Sequence, residues 1–368
     1  MNNDIYKFVD KVYNLSDVKK KYNKKTYETF KNIDNDDNFK NIWKHQCSQY
    51  NPKVQPSILP RADRIIVIGD LHGDLEMTFK SLEIAKVIDM NHKWIGGNTI
   101  VVQVGDQIDR CRFDGKNSCH QDGITKFDEH SDIRILKYFT KLHHMAQKKG
   151  GAVYSLLGNH ELMNVNGDMR YVSHEGIKGF DNYKKKDGTI IPDGMDARKY
   201  LFAPGNPISN FLACTRQVAL IIGSNLFVHA GILPSIADKY KIEDINKLMT
   251  LYLLDKLKDS EEYDKIFNNF NSSPLWTRKI GNMGLKEDTN KDSCNDLLKP
   301  LEKNYKVKNI YVGHTPLLDK GISSICDKKV WLTDYGSSKA FDIFSPKDKI
   351  KEVQVLEILN DNEFNVLK

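Results

Sequence analysis

Arg64-Ile65-Ile66-Val67-Ile68-Gly69-Asp70-Leu71-His72-Gly73-Asp74 is the stretch of sequence on which the fold depends. Its apolar first half predicts a buried β-strand, and Gly69 permits a turn where that strand ends. Asp70 and His72 follow, and residues two apart in extended backbone point to the same side. We therefore expect a carboxylate oxygen and an imidazole nitrogen to meet just beyond the strand, which is where α/β folds bind ligands. One such pair is weak evidence, because aspartates at strand ends also cap helices and turns.

The same arrangement recurs after four more strand-like runs. These runs are followed by Asp106 and Asp109, by Asn159 and His160, by His229, and by His314. Four of the five strand ends have glycine directly before the first polar residue, which lets the backbone stay close to whatever the side chains bind. A single histidine at a strand end is usually an ordinary polar residue. Five such ends in chain order are hard to explain as caps.

The types of side chain at these ends indicate a metal centre. Aspartate, histidine and asparagine without cysteine suit borderline-to-hard ions, with manganese foremost and iron or zinc as alternatives. The set is too large for one tetrahedral zinc ion. Two metal ions that share one carboxylate fit the number of donors.

The polar motifs together resemble the signature of the calcineurin-like metallophosphoesterases. They are Gly69-Asp70-Leu71-His72-Gly73, Gly105-Asp106-Gln107-Ile108-Asp109-Arg110, Gly158-Asn159-His160-Glu161, His229-Ala230-Gly231 and Gly313-His314. The Asp-Arg and Asn-His-Glu forms resemble the phosphoprotein phosphatase branch. Leu162-Met163-Asn164 and the following Gly167–Val172 segment most resemble the Shewanella-like protein phosphatases. The resemblance covers roughly Pro60 to Phe341.

This resemblance implies an α/β fold of the metallo-dependent phosphatase type, a four-layer αββα sandwich with two mixed β-sheets flanked by helices. It also implies the metal ligands. The first ion would be held by Asp70, His72 and Asp106. The second would be held by Asp106, Asn159, His229 and His314.

The resemblance implies a mechanism as well, in which a metal-bridged hydroxide attacks phosphorus in line. His160 would be the general acid, and Asp109 would orient its ring. The phosphate would be bound by Asn159 and by arginine side chains, which match phosphate oxygens bidentately.

Three arginines are candidates for that phosphate contact, with Arg110 first. Arg278 is the candidate for a second contact, because Trp276-Thr277-Arg278 resembles the family's Trp-x-Arg element; the alternative is an exposed arginine at a helix end. Arg170 is the reserve candidate, and its alternative is a structural salt bridge.

The segment after Arg110 departs from the family pattern. The family usually continues with glycine and a helix, whereas this chain has an insert at about 111–131. The insert lies beside the proposed phosphate contact and could alter substrate access. Within it, Cys111 and Cys119, with His120, could form a redox pair or an extra metal site, or the cysteines could be unpaired. The roles of Tyr335 and Ser337 stay open.

The organisation of the chain follows from its composition and punctuation. Residues 1–60 read as an N-terminal extension and a proline-punctuated linker, with short helices predicted near 6–13 and 38–49. Residues 61–345 form the predicted catalytic domain, with a substrate-facing insert at about 162–213. Residues 346–368 form a C-terminal edge strand and tail.

The composition of the chain bears on which classes of binding partner are expected. The chain has 368 residues and a formal charge of +6, with its lysines scattered, so the concentrated basic face that nucleic-acid binding requires is absent from the sequence pattern. We find neither a signal-peptide pattern nor an apolar run long enough to span a membrane. We therefore expect an intracellular, cytoplasmic protein with no membrane partner, whose six cysteines are reduced thiols.

The function predicted from these features is that of a phosphomonoesterase that acts on phosphoproteins. The resemblance leaves phosphoserine/threonine and phosphotyrosine both open. The rival enzyme is a dinucleoside polyphosphate hydrolase. The alternative of another class is a catalytically silent scaffold that binds a partner, which would be expected to lack a ligand or the acid.

Overall fold

Two six-stranded β-sheets form the centre of the molecule. The computed structural model describes residues 37–112, 116–257, 260–286, 290–344 and 352–368. The helix predicted near residues 6–13 lies outside the described residues. Fourteen strands and twelve α-helices are assigned within them.

The strands, in chain order, are β1 (Ile58–Leu59), β2 (Arg64–Ile68), β3 (Ile100–Gln103), β4 (Ala152–Leu156), β5 (Tyr183–Lys184), β6 (Ile190–Ile191), β7 (Arg216–Gln217), β8 (Ala219–Ile222), β9 (Asn225–Val228), β10 (Asn309–Val312), β11 (Ser323–Ile325), β12 (Val330–Leu332), β13 (Val355–Leu359) and β14 (Glu363–Leu367). The helices are α1 (Asp37–Gln46), α2 (Leu75–Ile84), α3 (Asp132–Gln147), α4 (Asn159–Val165), α5 (His174–Lys178), α6 (Gly194–Phe202), α7 (Pro207–Thr215), α8 (Pro234–Ala237), α9 (Ile242–Leu253), α10 (Glu261–Phe267), α11 (Lys279–Leu285) and α12 (Lys291–Tyr305). A 3₁₀ helix covers Lys339–Phe344.

The first sheet has the strand order β14-β13-β2-β3-β4-β7, and the second has the order β1-β8-β9-β10-β12-β11. Strands β2, β3 and β4 are parallel to one another, and β10 is parallel to both β9 and β12. Their carboxyl ends therefore lie at one edge of each sheet. The polar residues that follow these strands come together there, as the sequence predicts.

Alternate side chains of β2 pack into two different hydrophobic layers. Ile65 and Val67 pack into the core between the two sheets, whereas Ile66 and Ile68 face the opposite way, toward α2 and α3. The outer face of the second sheet packs against helices that include α7, α9 and α12. The predicted four-layer αββα architecture of two mixed sheets is confirmed.

Two predictions about the ends of the chain need correction. The segment that contains β13 was expected to be an edge strand, but β13 pairs with β2 on one side and with β14 on the other. The predicted tail supplies β14, which is the true edge. At the other end, β1 lies within the predicted linker and pairs with β8. The helix predicted at 38–49 is present as α1, whose Phe39 and Trp43 are buried.

The prediction of reduced thiols is wrong. Three disulfides join Cys47 to Cys214, Cys111 to Cys119, and Cys294 to Cys326. The first of them ties the segment after α1 to α7, across 167 residues of sequence. The Cys47–Cys214 and Cys294–Cys326 pairs are 167 and 32 residues apart and have no spacing signature, so the sequence pattern did not reveal them. The Cys111–Cys119 disulfide matches the redox pair that was one of the alternatives for these two residues.

We predict that denatured, unreduced protein shows no reactive thiol. We also predict that replacing both Cys47 and Cys214 by serine lowers the free energy of unfolding by roughly 2–5 kcal/mol, because a long loop is no longer closed in the unfolded chain. Denaturant titration measures the loss. The matched control replaces Cys294 and Cys326, whose sequence separation is 32, and it should lose less. Six reactive thiols in the unreduced protein would contradict the assignment.

Candidate active site

The strand ends that carry the predicted site have an unusual backbone. Four non-glycine residues there adopt the left-handed conformation, with φ of 46° at His72, 53° at Asp106, 71° at Asp109 and 68° at His314. Such conformations are sparsely populated and cluster at functional sites. The surrounding packing and hydrogen bonds must hold them in place.

The Glu161 carboxylate supplies part of that support. It accepts hydrogen bonds from the backbone N–H groups of Asp106 (3.0 Å), Gln107 (2.8 Å) and Gly158 (2.7 Å). It thereby ties the segment after β3 to the segment after β4. Burial and the nearby Asp106 charge raise the pKa of Glu161 to about 7. Glu161 belongs to the Gly158-Asn159-His160-Glu161 motif, and the sequence pattern indicated no role for it.

The predicted first group of metal donors lies together. Nε2 of His72 is 3.8 Å from Oδ2 of Asp70 and 3.8 Å from Oδ2 of Asp106. All three side chains are buried. His72 and Asp106 also form, with His160, a cluster of potential ligand atoms within 4.8 Å of one another.

The predicted second group shares Asp106 with the first. Oδ2 of Asp106 is 3.3 Å from Nε2 of His229. Oδ1 of Asn159 is 3.0 Å from that same nitrogen and 2.8 Å from Nδ1 of His314. Asp106 therefore lies between two sets of donors, as a bridging ligand requires.

The hydrogen bonds of the histidine rings fit a metal centre. Nδ1 of His72 contacts the Ile108 carbonyl at 3.3 Å, and Nδ1 of His229 contacts the Val104 carbonyl at 2.9 Å. His314 is reversed, with Nε2 at 2.9 Å from the Trp276 carbonyl. In each ring, one nitrogen contacts a backbone carbonyl, and the other faces the side-chain oxygens of Asp106 or Asn159. Metal-binding histidines are characteristically oriented in this way.

The protonation states of these groups also fit. Burial lowers the pKa of His72 and of His314 well below the usual value, so both rings are neutral and able to ligate. Burial opposes the charge on Asp106, but His229 and His160 outweigh it and lower the pKa of that carboxyl. Burial raises the pKa of Asp70, and the Asp334 and Asp106 charges add to that increase. A nearby cation would relieve this repulsion.

An unpartnered carboxylate oxygen and two glycines also fit a metal centre at this position. Oδ1 of Asp70 is buried without a hydrogen-bond partner in the described structure, which is costly unless a cation compensates it. A Cβ at Gly313 would overlap this same oxygen, and a Cβ at Gly158 would overlap Oδ1 of Asp106. The backbone therefore approaches the carboxylates closely because these two residues are glycine.

Asp334 also lies at the cavity, although the sequence motifs did not indicate it as a site residue. It follows β12, so it occupies the same kind of position as the polar residues at the five strand ends that were recognised. Its side chain is buried and lines the same cavity, and its Oδ2 has no hydrogen-bond partner among the described residues. The strand-end pattern could have identified it if the strand that precedes it, β12, had been included.

His160 and Asp109 form the predicted pair. Oδ2 of Asp109 lies 2.8 Å from Nδ1 of His160, so the carboxylate accepts the Nδ1 proton and leaves Nε2 toward the cavity. The backbone N–H of His160 donates to Oδ1 of Asp106 at 3.0 Å. The ring is thus placed beside the metal donors through its own backbone.

The structure places Arg110 away from the residues that line the cavity, although the sequence predicts it as the first phosphate contact. Its buried guanidinium donates to the Gly73 carbonyl, the Glu129 carboxylate and the Phe127 carbonyl, each at 2.9 Å. These bonds join the segment after β2 to the 111–131 insert. The Arg110 guanidinium therefore hydrogen-bonds to protein groups outside the cavity.

Arg112, two residues further along the chain, has its side chain at the cavity. It lines the cavity with the metal donors, and Nη1 donates to the Asp109 and Cys111 carbonyls at 3.1 and 2.8 Å. Its guanidinium lies 4.4 Å from the centre of the Phe341 ring and 5.7 Å from that of Tyr171. The neighbouring Cys111 and Cys119 are joined by a disulfide. Their sulfur atoms are therefore not free thiolates, and they do not form the extra metal site with His120 that was one of the alternatives.

The other two predicted arginines have different surroundings. Arg278 lines the cavity, and its Nη1 donates to the His314 carbonyl at 3.2 Å. Arg170 is exposed and pairs with Asp168 at 2.7 Å, which matches its alternative as a salt bridge. The cavity has a volume of about 190 Å³, and Tyr171, Trp276 and Phe341 contribute its aromatic lining.

Residues 63–317 match the family model described as calcineurin-like phosphoesterase. The chain belongs to this family. Among the helices of the described ranges, none combines the length and apolar character needed to cross a membrane.

Curated relatives of this calcineurin-like phosphoesterase include named protein phosphatases. Shewanella-like protein phosphatase 2 of Arabidopsis thaliana is 29% identical over 86% of this chain and 81% of its own. Shewanella-like protein phosphatase 1 of Plasmodium berghei is 31% identical over 75% and 67%. An uncharacterised protein of Acanthamoeba polyphaga mimivirus is 38% identical over 62% of this chain and 97% of its own.

Solved structures show the same fold. A cold-active protein-tyrosine phosphatase of a psychrophilic Shewanella species matches with a TM-score of 0.60 and 20% identity. The match covers 86% of this chain and 83% of that one. The predicted family, its Shewanella-like branch and its fold are confirmed.

We predict that Arg112→Lys weakens binding of inorganic phosphate roughly 10- to 100-fold, because a hydrogen bond to a charged group contributes about 1.5–3 kcal/mol. Competitive inhibition of aryl phosphate hydrolysis by phosphate measures it. The matched control is Arg110→Lys, which should lower the melting temperature and leave phosphate affinity unchanged. The reverse pattern would show that Arg110 makes the phosphate contact.

Proposed function

We propose that this protein is a binuclear-metal-dependent phosphomonoesterase that acts on phosphoproteins. The observation that carries the proposal is the Asp109–His160 pair, which lies beside two donor groups that share Asp106 and opens into the cavity lined by Arg112. Metal donors, a candidate acid and a candidate phosphate contact therefore meet at one cavity.

The metal ions would be held by the two donor groups at the strand ends. These are Asp70, His72 and Asp106 for one ion, and Asp106, Asn159, His229 and His314 for the other. When bound, a pair of metal ions lowers the pKa of water and neutralises phosphoryl charge. We propose manganese as the physiological ion, with iron or zinc as alternatives.

The remaining chemistry belongs to the side chains of this chain. Arg112 and Arg278 would bind phosphoryl oxygens from two sides of the cavity, and the Asn159 amide would add a further contact. His160 would donate the Nε2 proton to the leaving oxygen. Asp109 would hold the other ring nitrogen, which fixes the tautomer.

The substrate class is supported by the relatives and by the cavity. The Arabidopsis and Plasmodium relatives are named protein phosphatases. The cavity of about 190 Å³ has an aromatic lining suited to a phosphorylated side chain. The complete set of donors and the acid pair argues against a catalytically silent scaffold. We therefore propose a phosphorylated peptide segment as substrate.

We predict that metal-stripped protein is inactive on phosphopeptides and that added manganese restores phosphate release. His160→Gln should lower kcat on a phosphoserine peptide by roughly 10²- to 10⁴-fold, because the leaving alkoxide is no longer protonated. Phosphate release measures both effects.

The matched control is His143→Gln, at a buried histidine that contacts the Val153 carbonyl outside this cavity. It should retain wild-type kcat. Parallel assays with phosphothreonine, phosphotyrosine and a dinucleoside polyphosphate define the substrate. Folded, metal-loaded protein that hydrolyses only the dinucleoside polyphosphate would refute the protein substrate, and protein that hydrolyses none of them would refute the enzyme.

A further inference from the structure

The Asp109 carboxylate is completely buried and has partners beyond His160. The side-chain amide of Asn164 donates to Oδ1 at 3.0 Å and to Oδ2 at 3.1 Å. Nη2 of Arg198 lies 3.3 Å from Oδ1. Asn164 is four residues after His160 on α4, so it lies on the same helix face. Its amide also donates to the His160 carbonyl.

Arg198 holds this arrangement from outside the cavity. It lies on α6, within the 162–213 segment, and is fully buried. Its Nη2 donates to Oδ2 of Asp132 at 2.8 Å, and its Nη1 donates to the Gly176 carbonyl at 3.0 Å. Its guanidinium lies 5.4 and 5.0 Å from the ring centres of Phe180 and Phe202. A planar cation is therefore fixed in a single orientation.

Arg198 acts on Asp109 by two routes. The first is its direct contact with Oδ1. The second runs through Asn164, whose Oδ1 accepts from Nε of Arg198 at 2.8 Å. That bond fixes which end of the amide faces Arg198, so the amide nitrogen must face Asp109. One guanidinium thus orients both partners of the carboxylate.

The charges in this buried cluster explain why a cation is needed there. Asp109 and Asp132 are both buried, and the backbone N–H of Asp109 donates to Oδ1 of Asp132 at 3.3 Å. Burial raises the pKa of Asp132, while the Arg198 charge opposes that rise. Without the guanidinium, two buried carboxylates would repel each other, and one of them would protonate or move.

We propose that Arg198 is a positioning residue of the phosphatase reaction, which fixes Asp109 and Asn164 so that His160 presents Nε2 to the leaving group. The proposal rests on the proposed function. Arg198 belongs to the 162–213 segment, which the sequence predicts to face substrate. Under this proposal the segment has a second role, which is to position the Asp109–His160 pair.

The test compares two leaving groups. A p-nitrophenolate needs little protonation, whereas a serine alkoxide needs a proton from the acid. Arg198→Lys should lower kcat on a phosphoserine peptide by roughly 10- to 100-fold and on p-nitrophenyl phosphate by much less. KM should change little for either substrate. The matched control is Arg216→Lys, at a buried arginine bonded to Gln107 and Thr140, which should show no dependence on the leaving group.

A second readout does not depend on turnover. In protein labelled with ¹⁵N-histidine and loaded with zinc, the Nδ1 proton of His160 should give a low-field NMR signal that is absent from His160→Gln. Arg198→Lys should shift or broaden this signal, and Arg216→Lys should retain it. An unchanged signal together with equal losses on both substrates would overturn the proposal.

Two further outcomes are separated by the design. If His160→Gln itself shows no dependence on the leaving group, the proposed acid role of His160 fails, whatever Arg198 does, and if the metal-loaded wild-type protein hydrolyses neither substrate, the proposed function fails. If Arg198→Lys does not fold, the Arg198→Gln/Asp132→Asn double variant removes the cation together with one buried carboxylate. The folded double variant should still lose activity selectively on the phosphoserine peptide, and wild-type kcat on that peptide would overturn the proposal.

Discussion

The Asp106 carboxylate is the group on which the rest of the site depends. Its Oδ1 accepts the backbone N–H of His160 at 3.0 Å. Its Oδ2 lies 3.3 Å from His229 and 3.8 Å from each of His72 and His160. One buried anion thus contacts both donor groups and His160, the proposed acid. The histidines around it hold its pKa low against the effect of burial.

The backbone conformation at this site is maintained by its surroundings. Asp106 and Asp109 adopt left-handed conformations, which cost about 1–3 kcal/mol each unless other interactions compensate. Glu161 supplies compensation at Asp106, and the network of Asn164 and Arg198 supplies it at Asp109. Three buried carboxylates therefore shape the cavity. Glu161 and Asp106 accept backbone N–H groups, and Asp109 accepts from the ring of His160.

Sequence patterns predicted the candidate metal-ligating residues better than the residues that hold them in position. Strand alternation and preceding glycines locate a residue such as Asp70, because the direction of a strand-end side chain follows from the strand. The choice between Arg110 and Arg112 depends on the path of an irregular insert, which local patterns do not encode. Arg198 lies in a helix that carries no motif, so only the packing of α6 behind α4 brings it to Asp109. The Cys47–Cys214 and Cys294–Cys326 disulfides depend in the same way on contacts between segments that are distant in the chain.

The central claim is that two metal ions bind on either side of Asp106. The most direct measurement is anomalous X-ray diffraction from crystals soaked in manganese. We predict two anomalous peaks about 3.5–4 Å apart, the separation typical of two-metal sites, both within bonding distance of Asp106. One peak beside His72 should be close to Asp70, and the other should be close to His229 and His314. A single fully occupied peak, or peaks away from Asp106, would contradict the account.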